Sequence, residues 1–279
     1  MKKIVKIMLI SIALGIILMV VGYASGAKMH IYLEDNKVKT MDLKKAVFMS
    51  EALPSVSNVS VDIKMADIEF LAAKGEPKIE FYDNGRYGWE MDDDKLEIYE
   101  DLETIINIGV DFSFLFGGRN KNLIKVYLPE DVYLDEFEVE NYSGDIRING
   151  INSDEIYIKL ISGDVNVKNL TSNYCEVELV SGDVKMSDIN MEELVINNIS
   201  GDCEISGSVI HGIYNSTSGD VELVLEGSLE DYSKEISMVS GDLYINGKKT
   251  MDSEIENQDP DRHIRIESIS GDVELEFKE

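Results

Sequence analysis

From Val59 onward, apolar and polar residues alternate with a period of two. Val59, Val61, Ile63 and Met65 alternate with Ser60, Asp62 and Lys64, and the scheme returns in shorter runs at Ile68 and Phe70, Ile79 and Phe81, and Leu96 and Ile98. Such alternation predicts half-buried β-strands, because successive side chains point to opposite faces. Asn84-Gly85 and the acidic run 92–94 mark two of the turns between them. Between residues 105 and 116, Ile106, Ile108, Val110, Phe112, Phe114 and Phe116 share one face, opposite Asn107, Asp111 and Ser113. That predicts a further strand, ended by Gly117-Gly118, in preference to a sticky loop. Ile124, Val126 and Leu128 predict another, closed at Pro129-Glu130-Asp131, and Val132, Leu134, Phe137 and Val139 lead on from it. Helical signals are confined to residues 7–24 and to 41–52, where a short amphipathic helix before Pro54 would cover an open sheet edge.

The second half of the chain repeats. Ser-Gly-Asp occurs seven times, beginning at Ser143, Ser162, Ser181, Ser200, Ser218, Ser240 and Ser270, at spacings of 19, 19, 19, 18, 22 and 30 residues. A period near 20 implies one unit copied and stacked. Val165 and Val167 follow one copy and Cys175, Val177 and Leu179 precede the next, so each unit carries two short alternating strands. These cannot stand alone and must pair with their neighbours. Within the tripeptide, glycine permits the positive φ of a sharp corner, and the Ser and Asp side chains accept from N–H groups left unpaired there. Stacking then puts Asp145, Asp164, Asp183, Asp202, Asp220, Asp242 and Asp272 in one column at about 4.8 Å, where neighbouring carboxylates repel. Hydrogen bonds from backbone and serine would offset that repulsion. Calcium threaded along the column is the alternative, by comparison with nonapeptide solenoids that hold that ion. These seven aspartates are the only candidate metal ligands, and no other cofactor is indicated.

Composition narrows the function classes. The 279 residues carry 54 acidic and 26 basic side chains, a formal charge of −28, which repels phosphate backbones and argues against nucleic-acid binding. The motif register also places the two cysteines: Cys175 takes the place of Ile156 one unit earlier, and Cys203 that of Val165. On strand spacing they lie about 9–10 Å apart, beyond the ~7 Å between α-carbons that a disulfide allows. Two buried free thiols are expected.

At the N-terminus Lys2, Lys3 and Lys6 precede residues 7–24, which carry no charge. A run of 18 is long enough to cross a bilayer, and the lysines put the N-terminus in the cytoplasm and the remainder outside. Ser25-Gly26-Ala27 leaves a cleaved signal peptide as the competing reading. The length of the apolar core favours an uncleaved single-pass anchor. The expected organisation is therefore an anchor (or signal peptide) over 1–27, a juxtamembrane spacer or cap over 28–55, irregular strands over 56–140 and regular repeats over 141–279.

No Gly-x-Ser-x-Gly, His-Glu-x-x-His or Cys-x-x-Cys motif is present. Residues 241–249 look like a phosphate loop but have five residues between glycines and Lys249 where Ser or Thr is needed, and read as a strand and turn. His30, His211 and His263 are scattered along the chain and read as surface residues. Clustered carboxylates on a solenoid keep a polysaccharide-active enzyme open as an alternative. The scarcity of basic and aromatic groups in the repeats, with the single Trp89 outside them, counts against it.

Ser-Gly-Asp-Val repeats near 19 residues, a preceding strand ending Tyr127-Leu128-Pro129 and an N-terminal membrane segment together resemble the bacterial putative-adhesin family DUF4097, which includes membrane-anchored LiaG-like envelope proteins. The resemblance runs from about Val56 to the C-terminus and departs from even spacing after Ser218, where residues 246–262 form a polar insertion. It implies a β-solenoid at the cell surface or envelope and supplies no catalytic residues. The expectation is an all-β, right-handed parallel β-solenoid (β-helix) with Ser-Gly-Asp corners behind a transmembrane helix. Its expected work is non-enzymatic, in adhesion, envelope sensing or assembly, with an unknown envelope protein or polymer as partner. A calcium-dependent binding module and a polysaccharide-active enzyme are the alternatives. The C-terminal alternation of Val273, Leu275 and Phe277 is expected to form the final edge of the stack.

Overall fold

The computed structural model describes residues 46–83, 85–100, 122–250 and 261–278, Gly15, and the backbone of the short strands His30–Glu34, Lys37–Met41 and Ile255–Glu256. The expected membrane helix over 7–24 and the expected strand over 105–116 lie outside these residues. Among the described residues no helix is long and apolar enough to cross a membrane. The chain divides into two compact units. In the first, His30–Glu34 pairs antiparallel with Lys37–Met41. The second, Phe48–Tyr82, Tyr87–Glu100 and Asn122–Glu279, holds the repeats.

This second unit is all-β and mostly parallel, a solenoid-like stack in which each coil bends through a corner between two arms. Alternation along Val165–Ser181 shows how the residues set the coil: Val165, Val167, Leu170, Ser172, Cys175, Val177 and Leu179 are all buried, and the residues between them face outward. Equivalent positions of the next coil lie directly beside them, Val165 against Val184 and Val177 against Ile196, so burial is shared rung by rung. Near the start of the stack, Phe70 and Phe137 meet edge to face at 4.7 Å between centroids. A second bend follows each corner, where Gly150, Asn169, Asp188 and Gly207 all take positive φ. Asn and Asp are the non-glycine residues that best tolerate that region.

Parallel pairing continues through the whole stack, but the rungs do not follow chain order. In the arm before the corner, the order of strands is Lys95–Glu100, Asn58–Ile63, Tyr133–Ser143, Asn152–Ser162, then the coils ending at Ser181, Ser200 and Ser218, then Arg262–Ser270 and last Tyr232–Ser240. The other arm keeps the same order, with Val273–Lys278 between Val221–Glu226 and Leu243–Ile245. The C-terminal strand is therefore an interior rung, which corrects the expectation that it forms the final edge. A coil that arrives late in sequence has slipped between two earlier ones, and the 246–262 insertion supplies the chain length for it.

Antiparallel strands close both ends. Tyr87–Asp92 pairs with Lys95–Glu100 and Lys78–Asp83 with Leu123–Pro129 at one end, and Lys248–Thr250 pairs with Leu243–Ile245 and Ile255–Glu256 with Tyr232–Ser240 at the other. Such caps blunt edges that would otherwise template association. Val47–Ala52 is also a strand, not the helix expected over 41–52. It pairs with Lys78–Asp83, and the Leu53 amide donates to the Pro77 carbonyl at 2.8 Å. An open edge offers backbone partners that only extended chain can use. The 241–249 segment is the expected strand and turn.

Candidate functional site

The corner recurs with the same backbone geometry in all seven copies. Its seven glycines have φ between +125° and +139°. Each also sits against the neighbouring coil: a β-carbon on Gly182 would lie 1.9 Å from the Gly163 carbonyl oxygen. The glycine amide donates to the serine carbonyl of the next rung, as from Gly163 to Ser181 at 3.1 Å and from Gly182 to Ser200 at 3.0 Å. The residue after the aspartate donates to the next aspartate carbonyl, as from Val165 to Asp183 at 2.9 Å.

The aspartate amide bonds in the opposite direction, to a side chain. Asp164 donates to Asp145 Oδ1 at 3.1 Å, Asp183 to Asp164 at 3.0 Å, Asp202 to Asp183 at 2.9 Å and Asp220 to Asp202 at 2.9 Å. Asp272 then bonds to Asp220 at 2.8 Å, and Asp242 to Asp272 at 2.8 Å, in the interleaved order of the rungs. The ladder begins one rung earlier than the tripeptide shows, since Asp145 donates to Asp67 Oδ1 at 3.0 Å. All seven sequence-selected aspartates thus fall in one column. One oxygen of each of Asp145, Asp164, Asp183, Asp202, Asp220 and Asp272 is committed to a backbone donor, a charge-assisted bond that offsets the repulsion between neighbours. Among the described residues no group of three His, Cys, Asp or Glu side chains could hold a metal ion. Arg147 pairs with Asp145 and Lys249 with Asp242, whereas Asp164, Asp183, Asp202, Asp220 and Asp272 are exposed, with no salt bridge among the described residues.

Sequence reading missed the residue that precedes each serine. Ile161, Val180, Ile199, Thr217, Ile269 and Val239 occupy six successive rungs, pointing outward because Leu160 and Leu179 point in. The five aliphatic members are between 43% and 78% exposed, and Tyr142 extends the row by one rung. The signal was available: an apolar residue stands before Ser-Gly-Asp in six of seven copies, on the face that alternation assigns to solvent. This apolar ladder lines a groove of about 570 Å³. Asn197 and Asn215 flank it on one side, Asn215 Nδ2 donating a hydrogen bond to Asn197 Oδ1 at 2.8 Å, and the glutamates on that side are paired: Glu178 with Lys159 at 3.7 Å and Glu267 with Arg265 at 2.5 Å. On the other side lie the serines and, three residues along the chain from the ladder, the unpaired carboxylates. The lining also includes Asn198, Ser216 and Ser268, which are buried with Asn198 Oδ1 and both hydroxyls unpartnered.

Other candidates resolve into structure. Both cysteines are free and buried, in the register expected of them (Ile156 beside Cys175, Val184 beside Cys203), and burial pushes both thiols up to about 12. His211 and His263, far apart in sequence, are register partners on adjacent strands. At the far end Lys234 is buried, donating to the Leu229 and Tyr232 carbonyls at 2.9 Å each.

The sequence model of the Toastrack DUF4097 family matches residues 56–214, more than half of the chain. The chain belongs to this family. No curated protein matches it. Solved structures similar to this Toastrack chain include a putative adhesin from Bacteroides fragilis NCTC 9343, with 14% identity over 84% of this chain and 98% of that one at a TM-score of 0.43. Another is a putative adhesin from Parabacteroides merdae ATCC 43184, at 12% identity, 83% and 96% coverage and a TM-score of 0.36. A third, from Parabacteroides distasonis ATCC 8503, is described as a putative lipid binding protein, at 9% identity, 84% and 96% coverage and a TM-score of 0.31.

Proposed function

We propose that this Toastrack protein is a non-enzymatic, membrane-anchored β-solenoid that binds a partner at the bacterial cell envelope through the groove beside its corners. The observation that carries the reading is the exposed apolar ladder. On a chain with 54 acidic residues, six rungs of outward side chains with five aliphatic members form a continuous strip on a rigid stack. Contiguous exposed apolar surface on an otherwise charged protein marks an interaction site. The two carboxylates of the groove lining, Glu178 and Glu267, are each held by a cation, Lys159 and Arg265, which supports a binding role over a hydrolytic one. The uncharged run over 7–24 with lysines before it supports an anchor that leaves the stack outside the membrane.

Site-specific photo-crosslinking of the full chain in intact cells tests this. A photoreactive residue at Ile199 is expected to give adducts with an envelope component, whereas one at exposed Lys168, beyond the corner, is not. Absence of adducts at Ile199, or equal adducts at both, sinks the partner-binding reading. Carbonate washing of membranes tests the anchor; recovery of a soluble, shortened chain would overturn it.

A further inference from the structure

The groove has a direction and an uneven distribution of charge, and together they describe its occupant. We infer that it takes a basic amphipathic α-helix of a partner polypeptide, about 16 residues long, with its apolar stripe on the Ile161–Val239 ladder and its cationic flank on the aspartate column. This rests on the partner-binding reading above and names the chemistry of the partner.

Length comes first. Five steps of about 4.8 Å separate the six rungs, so the ladder runs for roughly 24 Å at right angles to the strands. At 1.5 Å per residue that is about 16 helical residues. Backbone comes second. Each coil between the caps has its main-chain groups paired to the rungs on both sides, so nothing along the groove is free to add a strand. A ligand that reaches only side chains must satisfy its own backbone, as a helix does.

Charge comes third. Asp164, Asp183, Asp202, Asp220 and Asp272 are exposed and without a basic partner among the described residues, and the chain of three residues from ladder to column spans no more than about 10 Å. Lysine or arginine stems on a helix flank cover such a distance while their aliphatic carbons stay on the apolar row. The opposite flank, with Asn197 and Asn215 and glutamates already paired, asks for no cation. The complementary helix is therefore basic along one side of its stripe. A second copy of this chain, at −28, brings the wrong sign.

The test uses the full chain in nanodiscs of uncharged lipid and a fluorescent synthetic helix of leucine and lysine, read by anisotropy. A scrambled peptide of the same composition and a glutamate-for-lysine version serve as controls. The striped basic helix is expected to bind at least tenfold tighter than the scrambled one, and the acidic version not at all. The double variant V180E/I199E, both sites being exposed, is expected to keep the wild-type melting curve and lose at least tenfold in affinity. D183N/D202N keeps the acceptor oxygens of the ladder, and is expected to weaken binding about threefold or more and flatten its salt dependence. Equal binding of striped and scrambled peptides, or unchanged binding to V180E/I199E, overturns the inference. So does a wild-type dimer that V180E/I199E abolishes, which would make a second copy the occupant, or preferential binding of wild type to vesicles of uncharged lipid. Adducts at Ile199 in cells without peptide binding would leave the partner reading standing and remove the helix. Peptide binding without adducts would do the reverse.

Discussion

Replacing Gly182 by alanine tests the corner at one of the two points where the coils approach most closely. The new β-carbon would lie 1.9 Å from the Gly163 carbonyl oxygen, 2.7 Å from its carbon and 3.2 Å from Asp164 Oδ1. The first contact is more than 1 Å too short, and backbone in the adjacent rung cannot rotate away as a side chain can. Three costs follow. A non-glycine residue at φ +139° costs about 1–3 kcal/mol. Forcing a packed coil to give way costs about 1–3 kcal/mol. Spreading the rungs weakens the bonds from Gly163 to Ser181 and from Asp183 to Asp164, at about 0.5–1.5 kcal/mol each. Together these come to roughly 3–9 kcal/mol, a large share of the stability of an ordinary domain. The control is Gly247→Ala, where φ is +69° and nothing lies within 4 Å of the added carbon, so only about 1–2 kcal/mol of left-handed strain is expected. Urea titration followed by far-UV circular dichroism measures both. A midpoint for Gly182→Ala within about 1 kcal/mol of the control would refute the stacked corner. Failure of Gly182→Ala to fold, while Gly247→Ala folds normally, is the extreme of the expected result.

Four further outcomes follow from the same geometry. Ile199→Glu should change stability by no more than about 0.5 kcal/mol, whereas Leu179→Ala, one residue inward on the adjacent rung, should cost about 2–5 kcal/mol; similar losses in urea titration would contradict the assignment of faces. Cys175 and Cys203 should resist thiol reagent at about pH 8 in the native protein and both react once unfolded; because burial raises their pKa from about 9 to about 12, the stability they confer is intact below 9 and drains away as pH rises between those values, so alkaline melts that stay flat across that range would count against it. Millimolar calcium should leave the melting curve unmoved, since one oxygen of most ladder aspartates is already engaged; a rise of about 2.7 kcal/mol, as for a ligand at 100 times its Kd, would restore the cation reading. Truncation after Asp261 should expose residues 203–245 to proteolysis, because an interior rung is lost; a trimmed but otherwise protected stack would contradict the interleaved order.

Much of the architecture is legible before any coordinates, and for local reasons. Alternation at period two assigns each side chain a face by itself, so Val177 and Leu179 point in and Glu178 and Val180 out whatever the coil packs against. The 19-residue repeat superposes those faces and places Cys175 and Cys203 in register with Ile156 and Val184. Ser-Gly-Asp names the corner because few residues other than glycine tolerate that φ. The apolar ladder was equally written there, but alternation alone does not mark an outward valine as unusual; only its recurrence on six adjacent rungs does.

What the repeat left undecided is which coil lies beside which. Every unit presents the same inward residues and the same backbone donors, so Ser240 and Ser270 fit beside Ser218 equally well by motif. Tertiary structure chose Ser270, and likewise set Asn58–Ile63 between Lys95–Glu100 and Tyr133–Ser143. For the C-terminal coil the reason is nonlocal: the antiparallel cap Lys248–Thr250 occupies the outer side of Leu243–Ile245, and Val273–Lys278 pairs on the inner side. The same stacking built the groove, since its ladder and its aspartate column exist only where separate coils align. Period and composition determined the coil; contact between coils determined the order, the closed ends and the face on which the apolar ladder lines up.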